Sequence, residues 1–127
     1  MIVAGVGFRR GVQADEILSL VARALREVSL PAEALSRLAT ATARAMEPGF
    51  VEAARRLEVP AWAVDPEALA ATAPWLRTES ERVRALHGVG SVAEAAALAC
   101  AGQAAELLAP RIASARATCA IARGPGP

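Results

Sequence analysis

The 127-residue chain has no lysine and no tyrosine, one histidine, two cysteines, two Phe and two Trp. Each shortage excludes something. Without lysine there is no G-x-x-x-x-G-K phosphate loop. The fourteen cations are all arginine, a bias that a GC-rich genome produces unaided. The single histidine, His87, has no Cys or His partner at metal-ligand spacing, so no metal site is expected. Cys100 and Cys119 lie far apart in apolar surroundings. They read as reduced, buried, small hydrophobes of a cytosolic protein, with a disulfide as the lesser alternative. Trp62 and Trp75 are isolated and make no stacking platform for single-stranded nucleic acid. The formal net charge is +1, with Arg and Glu interspersed along the chain. That pattern describes solvated helix faces rather than the concentrated basic face of a nucleic-acid binder. The apolar stretch Val92–Ala101 is too short to span a bilayer and contains Glu94. The N-terminal Met1–Gly7 has no charged leader region and runs into a strand-like sequence. No signal peptide is expected, and the location expected is cytoplasmic.

What is present is 54% hydrophobic and rich in alanine, enough for one core built without disulfides or metal. Ile2–Val6 reads as a strand leading into the glycine-rich loop Gly5-Val6-Gly7-Phe8-Arg9-Arg10-Gly11. Ile17, Val21, Leu25 and Val28 recur at helical spacing, so a helix is predicted over about 14–28. A short turn or helical piece from Pro31 to Leu35 precedes a strand at Leu38–Ala43. Pro48 suits the first position of a helix running to about Leu57. Val59–Val64 reads as a strand, and Asp65 as the N-cap of a helix that ends before Pro74. A helical piece covers Ser80–Leu86. The second glycine loop, His87-Gly88-Val89-Gly90-Ser91, then feeds a helix to about Ala101. Ser91-Val92-Ala93-Glu94 fits a capping box, with serine and glutamate bonding reciprocally, and Gly102 ends the helix. Strands are expected at Glu106–Leu108 and Ala117–Ala122. Alternating strands and helices imply one α/β domain, a three-layer α/β/α sandwich with a mostly parallel or mixed sheet over residues 1–123. The tail 124–127 is expected to be disordered.

Both glycine loops can aim backbone N–H groups at a carboxylate or phosphate, and the first adds Arg9 and Arg10, which grip carboxylates bidentately. The alternative is that the glycines only permit tight turns. Gly5-x-Gly7 followed by Gly11 lacks the G-x-G-x-x-G dinucleotide spacing, so no cofactor is expected. Glu47, in Glu47-Pro48-Gly49, is the best catalytic candidate, as a base or ligand-orienting group. It can equally be a turn carboxylate supporting the next helix. His87 can serve as a base, or stand in the loop without a special role. Ser80 and Ser91 are further hydroxyl donors, though capping already occupies Ser91. The residues suited to ligand contact are thus Gly7, Phe8, Arg9, Arg10, Gly11, Glu47, Gly88, Val89, Gly90 and Ser91.

Several segments together carry a family resemblance. They are Gly5–Gly11, Leu38-Ala39-Thr40, Glu47-Pro48-Gly49, Thr78-Glu79-Ser80, Gly88–Ala97 and Thr118–Arg123. In this order they resemble the CobE proteins and the C-terminal domain of CbiG, over nearly the whole chain from Ile2 to Arg123. The resemblance implies a role in building the corrin ring of vitamin B12, in the stand-alone form. The ligand it implies is a corrinoid or precorrin intermediate, and other corrin-pathway enzymes are implied as partners. In the longer CbiG proteins, regions upstream accompany this domain, and the whole opens the δ-lactone of cobalt-precorrin-5A with release of a two-carbon fragment. Three positions depart from the family pattern. Thr42 replaces an acidic residue, Arg44 replaces a lysine, and Pro110-Arg111 replaces Pro-Lys. Loss of the strand acid leaves Glu47 as the main carboxylate candidate and weakens the case for hydrolysis by this chain alone. A binding protein, a ring-modifying enzyme and an accessory subunit all remain open at this point.

Overall fold

The computed structural model describes residues 1–127. Strand β1 is Ile2–Phe8 and helix α1 is Ala14–Glu27. A 3₁₀ turn at Ala32–Ala34 leads into β2, Leu35–Ala41, and a second at Thr42–Arg44 follows it. Helix α2 is Pro48–Leu57, β3 is Ala61–Val64 and α3 is Pro66–Ala71. After a third 3₁₀ turn, Ala73–Trp75, come α4, Glu81–His87, and α5, Val92–Ala101. Two-residue strands β4, Glu106–Leu107, and β5, Ile112–Ala113, precede β6, Ala117–Arg123.

The sheet order is β3-β2-β1-β6-β4, with β5 also paired to β6. β1, β2 and β3 run parallel, whereas β6 is antiparallel to β1, β4 and β5. The sheet is therefore mixed, and helices cover both its faces. Ile17, Leu20, Val21 and Leu25 of α1 and Phe50 and Ala53 of α2 pack on Ala4, Val6, Leu38 and Ile121. On the other face, α5 and Leu69 of α3 pack on Val3, Ala39, Ala120 and Ala122. Alternation along β1 thus sends successive residues to opposite layers.

The local rules explain most boundaries. Pro48 and Pro66 stand in the first turns of α2 and α3, where a missing N–H costs nothing. The side chains of Asp65, Ser80 and Ser91 accept hydrogen bonds from Ala68, Val83 and Glu94 backbone N–H groups. Helix α5 has nine buried residues of ten and is apolar on nearly all sides, as befits a helix enclosed by its own domain. No helix is long and apolar enough to cross a membrane.

Three expectations differ from the structure. β2 begins three residues earlier than expected, at Leu35, and stops at Ala41, where a 3₁₀ turn takes over. The reciprocal capping box is only half formed. Ser91 Oγ accepts from Glu94 N–H at 3.2 Å, but the Glu94 carboxylate turns inward to other donors. β5 has no counterpart in the sequence reading, because two residues carry no periodicity. In the tail, Gly124 N–H donates to Met1 O at 3.1 Å and Gly126 N–H to Ala101 O at 2.7 Å. Cys100 and Cys119 are free and buried, and burial pushes the Cys119 thiol up to about 12.

Candidate functional site

Beyond the carboxyl end of β1, where ligands settle in open α/β sheets, the structure opens a cleft of about 520 Å³. Its floor is made by Gly7 and Phe8 at the end of β1, Val92 at the start of α5, and Ala117 and Thr118 at the start of β6. Because β6 is antiparallel to β1, its first residues lie beside Gly7 and Phe8. Phe8 is held from behind by Phe50 of α2, ring centroids 5.9 Å apart. One wall is α4, which brings Ser80, Arg82, Val83, Leu86 and His87. The facing wall is the segment around β5, with Arg111, Ser114 and Arg116, and the first loop closes the side with Arg9 and Arg10.

The charge of this lining is one-sided. Six of the seventeen lining residues are arginines (Arg9, Arg10, Arg44, Arg82, Arg111 and Arg116) and none is Asp or Glu. The whole chain, in contrast, holds fourteen arginines against thirteen acids. Low-dielectric walls lined by one sign of charge focus field and concentrate counter-ions. Arg44 Nε donates to Phe8 O at 3.3 Å, which fixes this guanidinium at the floor. Arg116 is positioned through Glu16. That carboxylate accepts from Arg116 N–H at 2.7 Å and from Ser114 Oγ–H, and the Arg116 guanidinium stands 4.0 Å away. The Ser114 hydroxyl, more than the Arg116 amide, holds the Glu16 carboxyl below its usual range. Arg9, Arg10, Arg82 and Arg111 make no side-chain hydrogen bond or ion pair within the protein. Burial, and secondarily the Arg44 charge, push the His87 pKa below its ordinary value, which favours the neutral ring.

Of the residues selected from the sequence, Gly7, Phe8, Arg9 and Arg10 line the cleft. Gly11 and Glu47 do not: Gly11 N–H donates to Glu47 Oε1 at 2.9 Å, so the carboxylate clasps the first loop from outside the cleft. Gly49 seals the same junction, since a Cβ there would stand 2.2 Å from Val12 O. Gly88, Val89, Gly90 and Ser91 are also absent from the lining. Gly88, at φ +77°, closes α4 in the left-handed region that favours glycine. Val89 and Ser91 are fully buried, the latter as the cap of α5. Gly90 O accepts from Ser80 N–H at 3.0 Å. The second glycine loop is therefore a structural corner that contributes its neighbour His87 to the cleft. The sequence reading left Arg44, Arg82, Arg111 and Arg116 out of the site. A signal existed for Arg44, which stands just past the carboxyl end of a predicted strand.

Glu47 makes a clear prediction. Glutamine retains an oxygen that can accept from Gly11 N–H, so Glu47→Gln should leave stability and ligand affinity near those of the parent protein. Glu47→Ala should lose about 1 kcal/mol and loosen the loop carrying Arg9 and Arg10. Urea melts and ligand titrations of the pair check this. A glutamine variant as impaired as the alanine one would show that the charge itself is needed.

Residues 2–122 match the family model described as "Cobalamin synthesis G C-terminus". This chain belongs to that family. It is thereby a cobalamin-biosynthesis protein. The curated Protein CobE from Sinorhizobium sp is 41% identical over 121 residues, which cover 95% of this chain and 79% of that protein. The crystal structure of CobE, a protein from the cobalamin biosynthetic pathway, superposes with a TM-score of 0.93 at 34% identity, covering 100% of this chain and 92% of that one. The cobalamin biosynthesis protein chiG from Agrobacterium tumefaciens gives 0.79 at 36% identity, over 98% and 99% of the two chains.

Proposed function

We propose that this protein binds a polycarboxylated ring intermediate of corrin synthesis in the arginine-lined cleft and acts as its binding or carrier protein. The observation that supports this reading is the lining itself: six arginines, no carboxylate, and an apolar floor and wall that include Phe8, Val83, Leu86 and Val92. A corrinoid intermediate is an apolar macrocycle edged with acetate and propionate carboxylates. Its edge suits guanidinium forks, and its faces suit the apolar side chains.

The test is an absorbance titration of the purified protein with a series of ring-stage corrinoid intermediates, followed by mass analysis of the recovered ligand. A shifted spectrum with unchanged ligand mass supports a binder. Arg9→Ala should weaken binding about 10- to 100-fold, the loss of one charge-assisted hydrogen bond of about 1.5–3 kcal/mol. Unchanged affinity in that variant would remove the cleft from the account.

One observation favours a second reading, that of a ring-modifying enzyme such as a lactone hydrolase. His87 is the single imidazole of the cleft and, in its neutral form, can accept a proton as a general base, and the surrounding guanidinium groups can stabilise developing negative charge. A change of ligand mass that His87→Gln abolishes, with binding retained, would establish this reading in place of the first.

A further inference from the structure

Helix α4 is the least anchored wall of the cleft. We propose that residues 81–88 form a lid that opens as a unit while the rest of the domain stays folded, and that it shuts on the molecule held in the cleft. Opening is a property of the chain by itself. Closure on a ligand rests on the reading of the cleft as a corrinoid site.

Both ends of the segment are fixed. Before it, Arg77 and Thr78 N–H groups donate to the buried Glu94 carboxylate, and Ser80 N–H donates to Gly90 O at 3.0 Å. After it, Val89, Gly90 and Ser91 are buried. The two arms of this neck touch, since a Cβ at Gly90 would stand 2.4 Å from Glu79 Oε2.

Between the arms the chain is held by little. None of the seven residues of α4 is buried. Its hydrogen bonds stay within the segment and its neck: Ser80 caps Val83 N–H, Arg84 pairs with Glu79, and Gly88 N–H returns to Arg84 O. No hydrogen bond or ion pair joins residues 81–88 to the body of the domain. Of α4, only Val83 packs, partly buried, on the core layer that contains α5. A helix this short does not hold itself in water. Val83 is therefore the latch, and segments with so few buried apolar contacts open at low free energy. Gly88 supplies a pivot: its φ is +77° and nothing lies within 4 Å of its Cβ position.

The facing wall is anchored instead. Arg111 N–H is held by Glu94, and Ser114 Oγ–H and Arg116 N–H by Glu16. Closure is thus a movement of α4 toward a fixed partner. Leu86 shows what closure gains, because it lines the cleft yet is 67% exposed. A ligand seated between the walls covers Leu86 and offers an acceptor to Arg82, and both contacts exist only when the lid is shut. Contacts made in one state alone are what let a ligand shift a population.

Hydrogen exchange of the full-length protein, with and without the corrin dicyanocobyrinic acid, tests both movements. Without ligand, amides of 84–88 are expected to exchange at least about 100-fold faster than those of α5. Val83→Ala should quicken them about fivefold further and leave α5 exchange unchanged. Exchange of α4 in step with α5, or indifference to Val83→Ala, would overturn the lid. With the corrin bound, the same amides should slow at least about tenfold. Leu86→Ala should leave ligand-free exchange unchanged and speed corrin dissociation about tenfold. A bound corrin that leaves the α4 amides unprotected would overturn closure while retaining the site. A mobile α4 with no corrin binding would remove the corrin reading and closure together, with opening alone established.

Discussion

Glu94→Ala is expected to lower folding stability by about 3–5 kcal/mol, the scale on which buried, fully partnered charges are lost. The Glu94 side chain is completely buried in the first turn of α5. Its Oε1 accepts from Arg77 N–H at 2.8 Å and Thr78 N–H at 2.9 Å, and its Oε2 from Thr78 Oγ1–H at 2.7 Å and Arg111 N–H at 2.9 Å. Alanine would strand all four donors beside a cavity, and each buried unsatisfied donor costs about 1–3 kcal/mol before relaxation. Glutamine separates the contributions. Its oxygen can keep Arg77 and Thr78, while its amide places a donor against Arg111 N–H, so a loss of about 1–3 kcal/mol is expected. Urea denaturation followed by circular dichroism checks both, with an unchanged midpoint in Glu94→Ala refuting the account.

The same carboxylate ties stability to acid and to ligand. Burial pushes its pKa up, but the hydrogen bonds from Thr78, Arg111 and Arg77 outweigh that, and the net displacement is below the ordinary 4.5. The folded state therefore holds fewer protons than the unfolded state in that range. The stabilisation is fully present above about pH 4.5 and is lost as pH falls through the lower folded value. Glu94→Gln should flatten this acid limb of the stability curve. Arg77 and Thr78 lead into α4, one wall of the cleft, and Arg111 belongs to the other. One carboxylate thus holds both walls in register, and ligand affinity should fall in Glu94→Gln under conditions where the protein remains folded.

The elements were legible in the sequence wherever a local rule decides. The period of Ile17, Val21 and Leu25 marks α1. Pro48 marks the start of α2, and the short polar side chains of Asp65 and Ser91 mark α3 and α5. β5 was not legible, because its two residues become a strand only by pairing with Thr118 and Cys119. Glu94 misled for a related reason. Ser91-x-x-Glu94 satisfies the capping-box pattern locally, yet four donors brought by the fold compete for the same carboxylate, and they win because they would otherwise be buried unpaired. The cleft shows this limitation most plainly. Arg9 and Arg10 sit in a recognisable glycine loop, whereas Arg44, Arg82, Arg111 and Arg116 come from segments dozens of residues apart that meet only through the sheet order. A charge pattern that reads as interspersed along the chain is segregated in space. Glu47 stood out through its Pro-Gly turn, but the feature that makes the turn visible, tight packing at the start of α2, also commits its carboxylate to Gly11.

Gly5→Ala should cost about 3 kcal/mol or more, a large penalty for the addition of one methyl group. A Cβ at this position would stand 2.1 Å from Ala93 O and 2.5 Å from Ala97 N, both backbone atoms of α5, and 2.9 Å from Ala97 Cβ. Neither side can yield cheaply. β1 is paired on both edges, to β2 and β6, and α5 is buried along nearly its whole length. Relief requires the helix to lift from the sheet, which opens voids among the alanines that now fill the interface. Gly11→Ala is the internal comparison. Nothing lies within 4 Å of its Cβ position, and its φ of +80° should cost only about 1 kcal/mol. The two variants separate contact from conformation, and thermal or urea melts should rank them in that order. Lifting α5 would also displace Val92 from the cleft floor. If Gly5→Ala melts near the parent protein but binds ring-stage corrinoid intermediates poorly, the close approach of α5 to β1 shapes the site more than it stabilises the fold. If it loses stability and retains affinity when folded, the approach serves packing alone, and the cleft floor tolerates a helix that has moved.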